Sequence, residues 1–196
     1  VNDAEPNKSR VTVESDSDLM TQVRQGQVAP HGELFERHHA ALYRFCLRMT
    51  GNRAVSEDLV QDVFMRMLKH RASFKPDTGF LPWMYRIARN AAVDHLRRSS
   101  RAPQAEPDLD ARPTDLPRSD EVVVEQEQTV LLRQALLALP PDRREVLLLS
   151  RYELKSYEEV AQALGITVNN VKIRAHRAIK QLRELYQDLL DKGVTP

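Results

Sequence analysis

The sequence predicts an all-α chain: two small helical domains joined by a flexible acidic linker, the second domain a helix-turn-helix. Three observations carry this expectation. Glycine is scarce, 6 residues in 196, and apolar residues recur three and four positions apart rather than alternating. The segment SSRAPQAEPDLDARPTDLPRSD, from Ser99 to Asp120, holds four prolines and many acids but little that can form a core, so the domain boundary falls there. Near the C-terminus, SYEEVAQALGI runs into TVNNVKIRAHRAIKQLR, which has the form of a helix, a Gly turn and a second helix.

In chain order, residues 1–16 read as a disordered, acidic tail. Helices are expected near 17–26, 31–50, 54–73 and 80–99, forming a first domain over 17–99. Residues 100–120 are the linker. A second domain over 121–192 is expected to hold helices near 121–138, 142–153, 156–164 and 167–190. Within it, Ser156 and Glu159 have the spacing of a capping box, Gly165 suits the left-handed end of that helix, and Thr167 can cap the next.

The net charge of +1 conceals an asymmetry. Residues 1–18 carry five acids against two bases and residues 102–128 eight against two, so the remainder of the chain carries +10. A basic body with two acidic attachments suits a protein that binds a polyanion. Cys46 stands alone, which excludes an internal disulfide and gives no sign of an oxidising compartment. No apolar run approaches the roughly 20 residues that span a bilayer, and the N-terminus is unlike a signal peptide. A cytoplasmic protein without membrane insertion is expected.

Three stretches carry candidate chemistry. In EDLVQDVFMRMLK, helical spacing puts Leu59, Val60, Val63 and Met67 on one face and Asp58, Gln61, Asp62, Met65 and Lys69 on the other. The second face is either plain solvated surface or a docking surface with an exposed methionine. In FKPDTGFLPWMYRIARNAAVDHLRRSSR, Pro76, Asp77 and Gly79 mark a loop, and Pro82 is tolerable only in the first turn of the helix that follows. That helix interleaves aromatics with arginines, a pattern suited to a single strand, because bases stack on rings and guanidinium groups neutralise phosphates. Packing is the competing role for Trp83, Tyr85 and Ile87. In the last stretch, five Lys or Arg and one His lie between Lys172 and Arg183 with no acid among them, as in a helix that enters the major groove.

Taken together, DLVQDVFMRML, FKPDTGFLPWMYRIARNAAVDHLRR, the acidic linker and LPPDRREVLLLSRYELKSYEEVAQALGITVNNVKIRAHRAIKQLRE resemble a bacterial RNA polymerase sigma factor of the extracytoplasmic-function group. The resemblance covers about residues 17–99 and 122–187 in the expected order. It implies a sigma region 2 domain that docks core RNA polymerase and opens the −10 promoter element, and a region 4 domain that recognises the −35 element. The DLVQDVF helix matches the segment that docks on the β′ clamp helices, with Asp58, Gln61, Asp62 and Met65 as its contact face; the β flap is the second expected contact on polymerase. Phe74 and Asn90 match the positions of a pocket for a flipped −10 base; a ring can stack and an amide can both donate and accept along a base edge. Arg86, Arg89, Arg97 and Arg98 would bind backbone phosphates, and Trp83 is read as core.

In the last helix the resemblance implies −35 contacts from Asn169, Asn170, Lys172, Ile173, Arg174, His176, Arg177 and Lys180. Val168, Val171, Ala175, Ile179 and Leu182 fall on the opposite, packed face. Lys172 and Arg177 match base-reading or phosphate-binding positions. Asn170 stands where the family often has Thr, and Ile173 where Ser is common. Ile173 cannot hydrogen-bond a base but can touch a thymine methyl, so the −35 preference is expected to depart from that of relatives.

The resemblance further implies an anti-sigma partner that clamps the two domains. No cofactor, metal site or catalytic group is expected: His38 and His39 are adjacent and face different ways, Cys46 reads as a buried thiol, no pair of acids is flanked by apolar pocket residues, and no Gly-rich phosphate loop is present. The alternative function is a free-standing, dimeric helix-turn-helix regulator, in which the DLVQDVF and RIARN segments have no role.

Overall fold

The protein, seen here in a computed structural model, is described over residues 14–99, 122–154 and 156–193; of 122–128 only the backbone is described. The expected tail up to residue 13 and the expected linker, 100–120, lie outside those residues.

The N-terminal group contains α1 (Asp16–Arg24), α2 (Ala29–Thr50), α3 (Arg53–Lys69) and α4 (Phe80–Ser99). Local chemistry sets the ends. The Ser15 hydroxyl accepts from the Asp18 amide at 3.2 Å and the Asn52 side chain from the Val55 amide at 3.1 Å, each satisfying an otherwise orphaned helix donor. Gly51, at φ +74°, ends α2 in the left-handed conformation. Asp16 ties α1 to α2 through His38 at 2.8 Å and Arg37 at 2.7 Å, so His38 is committed to a structural pair. His39 turns the other way and stacks on Phe35. Helix α3 stops at Lys69, short of the expected 73, because the chain tightens into a 3₁₀ turn over Arg71–Ser73. The loop that follows is pinned by Arg24, which donates to the Phe74 carbonyl at 3.2 Å.

The C-terminal group contains α5 (Val122–Ala138), α6 (Pro141–Leu148), α7 (Tyr157–Leu164) and α8 (Val168–Gly193). The expected helix over 142–153 is divided: α6 gives way to a π turn at Leu149–Glu153, where the Leu154 amide bonds back to the Leu149 carbonyl at 2.9 Å. The capping box is present, with the Glu159 amide donating to Ser156 Oγ at 3.2 Å and the Ser156 amide to the Glu159 carboxylate at 3.0 Å. Gly165 takes φ +66°, and Thr167 accepts from the Asn170 amide at 3.3 Å. Among the described residues no helix is long and apolar enough to cross a membrane.

The two groups pack on each other. One buried cluster runs from Leu34, Phe45 and Tyr85 of the first group to Leu148, Leu149, Val160 and Ala161 of the second. Helix α7 lies against α4, and Ala88, Ala91 and Ala92 of α4 are buried in the shared cluster; α5 and α6 meet α2. Arg144 closes the seam. Its guanidinium donates to the carbonyl of Met49, at the end of α2, and to those of Leu137 and Leu139, at the end of α5. A cation there satisfies the orphaned carbonyls of two helix C-termini at once. Burial pulls Arg144 down to about 10.

Candidate nucleic-acid interface

The α3 surface divides as the helical spacing requires. Leu59, Val60, Val63, Phe64 and Met67 are buried, while Asp58 and Gln61 are exposed and Met65 is 65% exposed. Asp62 is half-exposed and accepts an ion pair from Arg66 at 2.8 Å. Arg66 also reaches toward Asp94 of α4 at 3.7 Å. With Arg97 and Arg98 these two line an open depression between the helices, which adds Arg66 to the cations beside the −10 candidates. Nearby, burial and the Arg98 charge push His95 down, with Asp58 opposing.

On α4, Arg86, Asn90, Arg97 and Arg98 share an exposed stripe. Phe74 and Arg89 are placed differently. Phe74 is 0% exposed, its ring edge-on to Trp83 at 5.3 Å. In this form it is a core ring rather than an open stacking surface, because the pinned loop turns it inward beneath the indole. Trp83 is core as expected, its Nε1 donating to Ser73 Oγ at 3.2 Å.

Arg89 points across the seam. Its Nε donates to Glu145 Oε2 at 2.7 Å and its Nη2 to Oε1 at 3.1 Å, a two-point clasp on a side chain only 1% exposed. Its Nη1 donates to Asn90 Oδ1 at 3.1 Å. The carboxylate raises the Arg89 value; burial pushes Glu145 up, with Arg89 pulling it back. A second buried acid, Glu153, accepts from the Tyr85 hydroxyl at 2.6 Å and faces Arg48 at 3.5 Å. It too is pushed up by burial. Arg48 also lies 4.5 Å over the Tyr152 ring, which the π turn brings to it.

On α8, Val171 and Ala175 are buried, Val168, Ile179 and Leu182 are half-buried, and Asn169, Asn170, Lys172, Ile173, His176, Arg177 and Lys180 are exposed. Arg174 is half-buried, and its charge acts on Glu145. The basic face is continuous, and Ile173, 41% exposed, is the apolar residue within it. Among the missed residues, Tyr85 and Arg66 sat in recognised stretches. Glu145 and Glu153 gave only an indirect sign, one directly before the apolar run VLLL and the other four residues after it. Nothing in the order of residues names a partner 56 positions away.

Two family patterns match the chain: residues 34–102 correspond to sigma-70 region 2 and residues 129–182 to sigma-70 region 4. The chain is 37% identical over 177 residues to the RNA polymerase sigma factor CarQ of Myxococcus xanthus, spanning 87% of this chain and 97% of that one. It is 30% identical over 181 residues to the ECF RNA polymerase sigma factor SigW of Bacillus subtilis, spanning 86% and 95%. The solved structure of CnrH in complex with the cytosolic domain of CnrY matches with a TM-score of 0.66 at 26% identity, over 89% of this chain and 99% of that one. A dimeric regulator leaves the match over residues 34–102 without a role and is set aside. Both halves, in this order, place the chain in the sigma-70 family as an extracytoplasmic-function RNA polymerase sigma factor, a non-enzymatic factor for promoter-specific initiation of transcription.

Proposed function

We propose that the three exposed faces divide the work of initiation. The α3 face of Asp58, Gln61, Asp62 and Met65 docks on the β′ clamp helices of core polymerase, and the C-terminal group meets the β flap. The α4 stripe of Arg86, Asn90, Arg97 and Arg98, joined by Arg89 once it is released from Glu145, takes the non-template strand of the −10 element. Phe74 receives a flipped base after the loop over 74–80 rearranges. On α8, Asn169, Asn170, Lys172, Ile173, Arg174, His176, Arg177 and Lys180 read the −35 element in the major groove.

The observation that carries this reading is the two-sidedness of α8. Its apolar residues pack inward and its cations stand together in solvent, which fits a groove-reading helix. Domains over 17–99 and 121–192, joined by a linker at 100–120, allow the two readers to reach separate promoter elements. A cytoplasmic setting follows from the polymerase partner. An anti-sigma factor is the expected antagonist; CnrH was solved with the cytosolic domain of CnrY.

Run-off transcription with core polymerase, with and without this chain, tests the assignment. Promoter-dependent transcript should appear only with both, and an α8 variant carrying Lys172→Ala and Arg177→Ala should lose it while still forming holoenzyme. Full transcription by that variant at −35-dependent promoters would remove α8 from the reading.

A further inference from the structure

The loop that carries Phe74 is held by a residue outside the matched region 2. Arg24 is the last residue of α1, and α1 precedes residues 34–102. The helix is a fixed post. Leu19, Met20 and Val23 are buried in the core, and Asp16 anchors its first turn to Arg37 and His38 of α2. It lies against both short 3₁₀ turns of the loop, Arg71–Ser73 and Pro76–Thr78. From its end, Arg24 Nη1 donates to the Phe74 carbonyl at 3.2 Å.

That carbonyl sits where the loop can pivot. Each 3₁₀ turn is closed by its own bond, from the Ser73 amide to the His70 carbonyl at 2.8 Å and from the Thr78 amide to the Lys75 carbonyl at 3.1 Å. Between the turns Phe74 and Lys75 are extended. The far end of the loop is Gly79, whose φ of +73° is one that other residues rarely adopt. Because Phe74 faces the core, bringing its ring out means rotating the extended link, which carries the carbonyl away from Arg24. Two contacts oppose that motion: the ring on Trp83 at 5.3 Å and the guanidinium on the carbonyl. A base that stacks on Phe74 compensates the first. The second has to be broken outright, at modest cost, since Arg24 is exposed and water takes up the parted groups.

We propose that Arg24 is a positioning residue for −10 base capture: it latches the Phe74 loop closed, and its release accompanies entry of the flipped base. This rests on the proposed role of Phe74. The consequence for binding is uniform. Apparent affinity is reduced by the fraction of loops that are open, whichever base enters. Removing Arg24 raises that fraction and tightens capture without changing base preference. A phosphate contact, or a brace that keeps a preformed pocket in shape, predicts the opposite sign, because losing either weakens capture.

The test is binding of holoenzyme, assembled from core polymerase and the full chain, to a fluorescent single strand bearing the non-template −10 sequence of a promoter it transcribes. A second set of strands carries one abasic site at each −10 position. Arg24→Met keeps the alkyl stem and removes the donor. It should bind the intact strand about three- to tenfold tighter than wild type, the range of one hydrogen bond. On the strand whose abasic site removes the flipped base, it should match wild type. Arg24→Lys keeps a cation without the guanidinium fork and should fall between the two. In the free chain, Trp83 is the only tryptophan and is 3% exposed. Its quenching by acrylamide should rise in Arg24→Met, with far-UV circular dichroism unchanged. Unchanged binding of the intact strand overturns the latch, and weaker binding with a shallower salt dependence makes Arg24 a phosphate contact instead. An equal gain on every abasic strand also overturns it, since the loop then does not gate a base. If no abasic site weakens wild type and Phe74→Leu binds like wild type, base capture by Phe74 itself fails, and the latch falls with it.

Discussion

The two proposed DNA-reading faces, on α4 and α8, differ in how they are held. Helix α8 offers most of its proposed −35 residues to solvent, only Arg174 among them being half-buried. Helix α4 is sandwiched: its alanines and aromatics are buried in a core shared with α7, and one of its arginines is clasped by a buried acid 56 positions away. Duplex DNA is read from outside, so a −35 helix needs only a rigid back. A single strand must be stacked and gripped, so its reader shares residues with the core and is exposed to whatever else packs there. On the proposed assignment, one reader is preformed and the other has to be released.

The sharpest test of that contrast is Phe74. A ring fully buried against Trp83 is worth about 3–5 kcal/mol on truncation to Ala, and chemical denaturation should show that loss in the N-terminal domain. Phe74→Leu keeps most of the volume and should lose much less. If the ring also stacks on a flipped base, Phe74→Leu will form holoenzyme normally and still initiate poorly. Normal initiation would make Phe74 core alone and shrink the −10 site to the α4 stripe.

The preformed reader predicts a smaller and cleaner effect. Arg177→Ala removes an exposed side chain with no packing role, so the melting temperature should hold. Promoter binding by holoenzyme should weaken by about 1–3 kcal/mol if the guanidinium reads a base pair. A loss independent of the −35 sequence, with a shallower salt dependence, would reassign it to a phosphate.

How much of this was legible differs between the readers for the same reason. The caps at Ser156, Gly165 and Thr167 and the two faces of α8 follow from neighbours within a few residues, and they stand where the spacing puts them. The α3 faces were equally local. The breaks at Lys69 and Leu148 were not, because nothing nearby stops either helix; tertiary packing overrides propensity there. Phe74 and Arg89 were placed by the family resemblance, as a ring that stacks and a cation that binds phosphate. Their actual surroundings, Trp83 and Glu145, are set by chain crossings that periodicity does not encode.

A smaller effect probes the support behind α8. Ser156→Ala removes the cap of α7 and half of the capping box, worth about 1 kcal/mol. It should lower the thermal stability of the C-terminal domain slightly and leave −35 specificity unchanged, since α7 positions the reader without forming it. A changed −35 preference would mean that α7 sets the angle of α8 in the groove.

The weakest handle near neutral pH is pH itself, and its sign is informative. Burial holds the Glu145 and Glu153 carboxyls above their ordinary value of 4.5 in the closed form, against the opposing pull of Arg89 and Arg174 on the first and of Tyr85, Arg48 and Arg44 on the second, with Asp142 adding to the rise at Glu145. Opening returns both groups to water. Between 4.5 and the raised values the closed form therefore binds more protons than the open one. Closure gains from these groups in full below the open-state value and loses that gain as pH rises through the closed-state values. Acidifying toward the ordinary carboxyl range should favour the compact form, read as a falling radius of gyration. Glu145→Gln should flatten part of that response. Expansion on mild acidification, with the helices intact, would mean that the attraction of Arg89 and Arg48 outweighs desolvation, and that the seam is held by charge rather than merely released by it.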